Sequence, residues 1–187
     1  MTQSERRLFL IKYLLKEREA CRASLPPMNE EEQKRVLRSL WNIREPKEPN
    51  AEFLRVQDAY LQEEIREKGI TDANTLEPVE DGIYLWQGDI TTLKCGAIVN
   101  AANSRLLGCF APCHLCIDNA IHTFAGVQLR LECNRIMTEQ GYLEPTGKAK
   151  LTKAYNLPSE YVLHTVGPII GGKLTEKDEK ELASCYT

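Results

Sequence analysis

The chain has 187 residues, 42% hydrophobic and 27% charged, enough to bury a real core in one medium domain or in a small domain with an appendage. A net charge of -3, with no basic patch interleaved with aromatics, argues against nucleic acid or an anionic membrane as the main partner. No stretch approaches the roughly 20 apolar residues that span a bilayer, and Met1 to Glu19 holds no apolar run like a signal peptide, so a cytoplasmic, reducing location is expected.

Residues 1–80 read as a helical extension. Ser4 is the expected cap of a first helix whose Leu8, Ile11 and Leu15 share one face. A break at Pro26-Pro27 follows. Asn29 with Glu32 three positions on then resembles a capping box, and Val36, Leu37, Leu40 and Trp41 form the stripe of a second helix. A second break, Pro46 to Asn50, precedes a third helical pattern carried by Phe53, Val56 and Tyr60 and ending near Gly69. Stripes of this kind are packing surfaces.

The character changes near Asp81-Gly82, and residues 81–187 read as a second unit. Ile83 to Trp86 and Ala97 to Val99 are short apolar runs bounded by turn residues, the pattern of buried strands. Cys116 to Ile136 has helical spacing, with Ile117, Ile121, Phe124, Leu129, Cys133 and Ile136 lining buried faces across one or two helices. Lys148 to Tyr155 and Tyr161 to Val166 read as strands. Lys148, Lys150 and Lys153 are expected on a solvated face, and His164 in the core. Gly167 to Gly172 is a loop, and Thr175 with Asp178 starts a last helix. Strands alternating with helices make this unit α/β. The last helix runs to Thr187 with no strand after it, so the domain is expected to be cut short.

The chemistry concentrates in one loop. Of seven cysteines, Cys109, Cys113 and Cys116 fall within eight residues, with His114 among them. In a reducing compartment that density of soft ligands points to a metal or to catalysis more than to disulfides. Zinc takes thiolate and imidazole ligands in tetrahedral array. Adjacent Cys113 and His114 tend to point apart. His114 and Cys116 can face one side, with Cys109 folding back through the Pro112 turn; three such ligands leave an open position, as in catalytic zinc. The alternative is a Cys113-x-x-Cys116 pair. A second constellation, Gly88-Asp89-Ile90-Thr91 and Asn100 to Asn103, places polar residues just beyond apolar strands, where ligands of open α/β sheets sit.

Gly88-Asp89-Ile90-Thr91, Ala97 to Asn103, and Ile121-His122 with Ala125-Gly126 resemble the opening of a macrodomain. The glycine-rich loop of ordinary hydrolytic macrodomains is replaced here by Cys109 to Cys116. The pattern Cys-x4-His-x-Cys-Ile-Asp-Asn, matched at Cys109, His114, Cys116, Ile117, Asp118 and Asn119, resembles the zinc-dependent macrodomains that accompany a sirtuin-type ADP-ribosyltransferase in bacteria. That resemblance implies a three-layer α/β/α sandwich, incomplete at the C-terminus for want of a second phosphate loop, behind the helical extension. It implies a hydrolase that removes mono-ADP-ribose from acidic side chains of modified proteins, such as a lipoyl-carrier protein of glycine-cleavage type. Asp89 would accept from the adenine amino group, with the Ile90 amide beside it. Asn103 would hold the distal ribose, with Gly108 also on the substrate side. Asp118 would orient a water or the substrate, and Cys109, His114 and Cys116 would bind zinc, Cys113 being a neighbour. The alternative is a reader that binds ADP-ribose without cleaving it and uses zinc as a structural staple.

Overall fold

A computed structural model describes residues 1–18 and 29–187, so Cys21 and the break expected at Pro26-Pro27 lie outside the described residues. Three helices come first: α1 (Gln3–Glu17), α2 (Glu30–Asn42) and α3 (Ala51–Lys68). α1 starts before the expected Ser4 cap, because Thr2 and Glu5 form the capping box. The Thr2 hydroxyl accepts from the Glu5 amide at 3.2 Å, and the Glu5 carboxylate accepts from the Thr2 amide at 2.7 Å. Its buried stripe is Arg7, Leu10, Ile11 and Leu14, so Leu8 and Leu15 of the expected face are only half-buried. α2 begins on the expected Asn29–Glu32 box, and α3 runs from an Asn50 cap to Gly69, whose φ of +86° ends the helix. The three pack around Leu10, Ile11, Leu37, Phe53 and Leu61. Each such side chain contributes roughly 1.5–3 kcal/mol on burial.

Short strands link the extension to the rest. β1 (Thr71–Asp72) pairs in parallel with β4 (Leu93–Lys94), and β2 (Pro78–Glu80) forms a hairpin with β3 (Ile83–Tyr84). The expectation of a buried strand over 83–86 is corrected here. Ile83 and Tyr84 are more than half exposed and Leu85 is 80% exposed, because the hairpin is two strands wide and, among the described residues, no layer covers it.

The main sheet holds β5 (Ala97–Ala101), β6 (Ala149–Lys153) and β7 (Tyr161–Thr165), in the order β5-β7-β6. β5 lies parallel to β7, as a crossover connection requires, and β6 antiparallel to it. The crossover carries α4 (Ile117–Ala125) and α5 (Val127–Gln140), and α6 (Glu176–Ser184) follows the sheet on the expected Thr175–Asp178 cap. Alternation sends Ile98, Asn100, Thr152, Val162 and His164 inward against Ile121, Leu129 and Cys133. The opposite face carries Val99, Leu151, Tyr161 and Leu163 at 37–53% exposure, so the Ala97–Val99 run is buried on one side only. Lys148 and Lys153 are solvated as expected. Lys150 instead pairs at 2.9 Å with the buried Glu144 carboxylate. Among the described residues, no helix is long and apolar enough to cross a membrane.

One buried cation fastens the extension to this α/β part. Arg130 on α5 is 6% exposed. Its Nε donates to the Leu107 carbonyl at 2.7 Å, and its Nη1 faces the carbonyls of Trp41 and Asn42 at 3.0 Å each and that of Arg44. Burial pulls its pKa down to about 10, which still leaves it charged at neutral pH. Charge-assisted bonds of this kind are each worth about 1.5–3 kcal/mol, and unmade they leave buried acceptors without donors. Arg130→Met is therefore expected to lower the unfolding free energy by more than about 3 kcal/mol. Urea unfolding measures it; a loss below about 1 kcal/mol would contradict the fastening role.

Candidate active site

The site forms where β5 ends and α4 begins. On β5, Asn100 points inward and is fully buried, and Asn103 lies just past the strand end. Asp118, in the first turn of α4, is 4% exposed and meets both. Asn100 Nδ2 donates to Asp118 Oδ1 at 2.8 Å, and Asn103 Nδ2 donates to Asp118 Oδ2 at 3.1 Å. Asn103 Nδ2 also donates to the Gly108 carbonyl at 3.1 Å, and Asn103 Oδ1 accepts from the Arg105 amide at 3.0 Å. Burial raises the Asp118 pKa, against the Asn100 hydrogen bond, the Arg130 charge and the Asn103 hydrogen bond. Gly108 is required where it stands: its φ is +79°, and a Cβ there would come within 2.7 Å of the His122 ring.

The loop between Asn103 and α4 gathers soft donors. The sulfurs of Cys109 and Cys116 and a ring nitrogen of His114 all lie within 4.8 Å of one another, with His114 exposed and both cysteines half-buried. Two thiols and an imidazole converging like this fit a zinc ion. Cys116 also caps α4, its sulfur accepting from the Asn119 amide at 3.4 Å. Burial pushes the Cys116 thiol up, opposed by that amide and assisted by the adjacent Cys109. Cys113 is turned away: with φ at +55°, its sulfur donates to the Arg35 carbonyl at 3.4 Å and its amide donates to Asn42 Oδ1 at 2.7 Å. The Cys113-x-x-Cys116 pair is thus not the group the loop assembles.

Asp89 sits at the other end, in the turn before β4, capping a short 3-10 turn at Ile90–Thr92. Its Oδ1 accepts from the Thr91 amide at 3.0 Å and hydroxyl at 2.6 Å, and its Oδ2 accepts from Lys68 Nζ at 2.9 Å. Partial burial works to raise its pKa, but the bonds from Thr91 and Lys68 outweigh it and hold the carboxyl below its usual range. The Lys68 ammonium also lies 3.4 Å above the Phe124 ring centre. Between Asp89 and Cys113 runs a groove of about 760 Å³, walled by Arg38, Trp41 and Tyr60 of the extension and by Phe124 of α4. That is the size of a small-molecule cleft. Sequence reasoning missed the roles of Arg38, Lys68 and Asn100. Only Asn100 had a local signal, its place at the polar end of an apolar strand.

His122 and His164 lie beneath. Asn100 Nδ2 lies 3.1 Å from His164 Nδ1, which assigns the His164 proton to Nε2, 3.0 Å from the Thr152 hydroxyl. His164 is the satisfied core histidine expected. With Cys133 and His122 it makes a second cluster of possible ligands, but both of its nitrogens are already committed. His122 is buried with its Nε2 3.6 Å from Asp118 Oδ1, and burial, Arg130 and His164 hold its pKa well below the usual value, so it is neutral.

A family model described as the Macro domain matches residues 99–187. A Treponema medium protein named protein-ADP-ribose hydrolase is 60% identical over 191 residues, spanning 100% of this chain and 73% of that protein. A Staphylococcus aureus protein of the same name is 47% identical over 180 residues, spanning 95% of this chain and 67% of that protein. Among solved structures, a Trypanosoma brucei macrodomain in complex with ADP-ribose is 29% identical, with a TM-score of 0.52 over 79% of this chain and 64% of that one.

The layer under the site makes stability depend on pH. Burial lowers the His164 pKa from 6.5 to about 4. Between those values the unfolded chain binds a proton that the native chain refuses, so this contribution is intact above pH 6.5 and is lost as pH falls to 4. The loss amounts to about 3 kcal/mol. His164→Gln keeps one donor and one acceptor but cannot titrate. Urea unfolding from pH 7 to 4 is expected to fall less steeply for His164→Gln than for the parent; parallel curves would refute the assignment.

Proposed function

The chain belongs to the macrodomain family, among its protein-ADP-ribose hydrolases, and we propose that it removes mono-ADP-ribose from acidic side chains with a zinc ion held by Cys109, His114 and Cys116. The observation that carries this reading is the convergence of those three donors beside the Asn103–Asp118 pair, two residues from the Cys116 cap. Zinc with three protein ligands supplies a Lewis-acid position and a template for a ribose oxygen or a water.

The chain's own residues do the rest. Both amide hydrogens of Asn103 are committed, to Gly108 and to Asp118, so it meets the distal ribose through its Oδ1, as an acceptor from a hydroxyl. Asp118 is held by two amides in one orientation. That fixed orientation suits it to orienting a water. Asp89 Oδ2 keeps a lone pair beside Lys68 for the adenine amino group, with the Ile90 amide adjacent, and Gly108, whose Cβ position is filled by the His122 ring, brings backbone to the ribose end. Fixing both ends of the ligand is a positioning contribution. The bond broken joins the ribose anomeric carbon to a carboxylate oxygen of the modified protein. Water supplies the hydroxyl that stays on one fragment and the proton that leaves with the other. A lipoyl-carrier protein as the modified partner is carried over from the family resemblance.

The test is elemental analysis together with release of ADP-ribose from an aspartate- or glutamate-modified protein. About one zinc per chain is expected. In Cys116→Ala the zinc content should fall and release should drop more than about 100-fold. Unchanged zinc and unchanged release in that variant would overturn the reading. Tight ADP-ribose binding with no release by the parent would make the chain a reader.

A further inference from the structure

The metal loop is not held by the α/β unit alone. Arg38 of α2 lies 76 residues from His114 and 81 from Asn119 in sequence, yet its guanidinium closes on both. Nη2 donates to the His114 carbonyl at 3.1 Å and to Asn119 Oδ1 at 2.9 Å, and Nε donates to the same Asn119 oxygen at 3.2 Å. Asn119 passes the constraint on. Its Nδ2 faces the carbonyls of Ala111 at 3.1 Å and Cys109 at 3.4 Å, and its backbone amide donates to Cys116 Sγ at 3.4 Å. Each of the three metal-binding residues therefore has one bond in this network: His114 directly to Arg38, Cys109 and Cys116 through Asn119.

Asn119 is fully buried and has one amide oxygen and one amide nitrogen to place. Its orientation decides whether the loop sees a donor or an acceptor, and a buried amide left to flip would present the wrong end to two carbonyls. The Arg38 fork removes that freedom, because a guanidinium donates and cannot accept. Asn42, one turn further along α2, adds a separate hold on the loop by accepting from the Cys113 amide at 2.7 Å while its own Nδ2 donates to the Thr123 hydroxyl at 2.9 Å. The extension thus forms the back wall of the loop.

We propose that Arg38 is a positioning residue for the metal centre, fixing Asn119 and the His114 backbone so that Cys109, His114 and Cys116 are pre-arranged for the ion. This rests on the metal reading given above. Partners that orient metal ligands typically change metal affinity by about 10- to 100-fold when removed.

The experiment uses the full chain as the parent, Arg38→Met and Arg38→Lys. Zinc affinity is measured by competition with a chromogenic chelator, cobalt is substituted to read ligand geometry from its visible absorption bands, and melting of the metal-free protein is followed in parallel. Arg38→Met is expected to bind zinc about 10- to 100-fold more weakly and to shift the cobalt bands, with metal-free melting close to that of the parent. Arg38→Lys, able to satisfy one acceptor at a time, should recover part of the affinity. Zinc affinity within twofold of the parent and an unchanged cobalt spectrum in Arg38→Met would overturn the proposal while leaving the metal reading intact. A parent that binds no zinc would instead remove the metal reading itself. Should Arg38→Met fail to fold, Arg38→Lys carries the test, and parent-like affinity and spectrum there overturn the proposal.

Discussion

A carboxylate taken out of water must be met by donors, and in this chain Asp118 is met by the amides of Asn100 and Asn103. Those two bonds join the end of β5 to the start of α4, fixing the two stems of the loop between them. Everything the loop does follows from that closure. With its ends pinned, the chain from residue 104 to 116 is too short to wander, and its polar backbone must find partners nearby. It finds them in Asn103, in Asn119 and in the helical extension. The same closure leaves Cys116 as the cap of α4, its sulfur accepting from the Asn119 amide at the start of the helix.

Cationic side chains are among the groups that tie the extension in. Arg130 reaches back from α5 to the C-terminal end of α2, Arg38 reaches forward from α2 to the loop, and Lys68 at the end of α3 holds Asp89. Arg38 and Lys68 also line the groove. The apolar clusters are linked as well, since Val127 belongs to the cluster of the first three helices while Ile65 of α3 belongs to the cluster under the sheet. Each cluster thus borrows one buried side chain from the other part.

How much of this was legible depended on the range of the interaction. The caps at Asn29 and Thr175 are contained within four residues, and the sequence displays them directly. The Thr2–Glu5 box is equally local, but Ser4 is also a good capping residue and competes for the same role. The hairpin at 78–84 misled because an apolar run signals burial only where another layer covers it, and that depends on the tertiary fold rather than on the run. At the site, the cysteine and histidine spacing marked the loop and left Cys113-x-x-Cys116 beside Cys109, His114 and Cys116; the structure brings the latter three side chains together. Arg38 and Arg130 were invisible for the opposite reason. An arginine on an amphipathic helix reads as a solvated face until its partner, some 80 residues away, is known.

The forward reach of Arg38 also bears on the order in which the parts are made. At roughly 5–20 residues per second, synthesis places on the order of ten seconds between Arg38 and the loop it grips. The clamp thus leaves the ribosome before its load. The loop's partners on α2 are therefore already made when the loop itself is added to the chain.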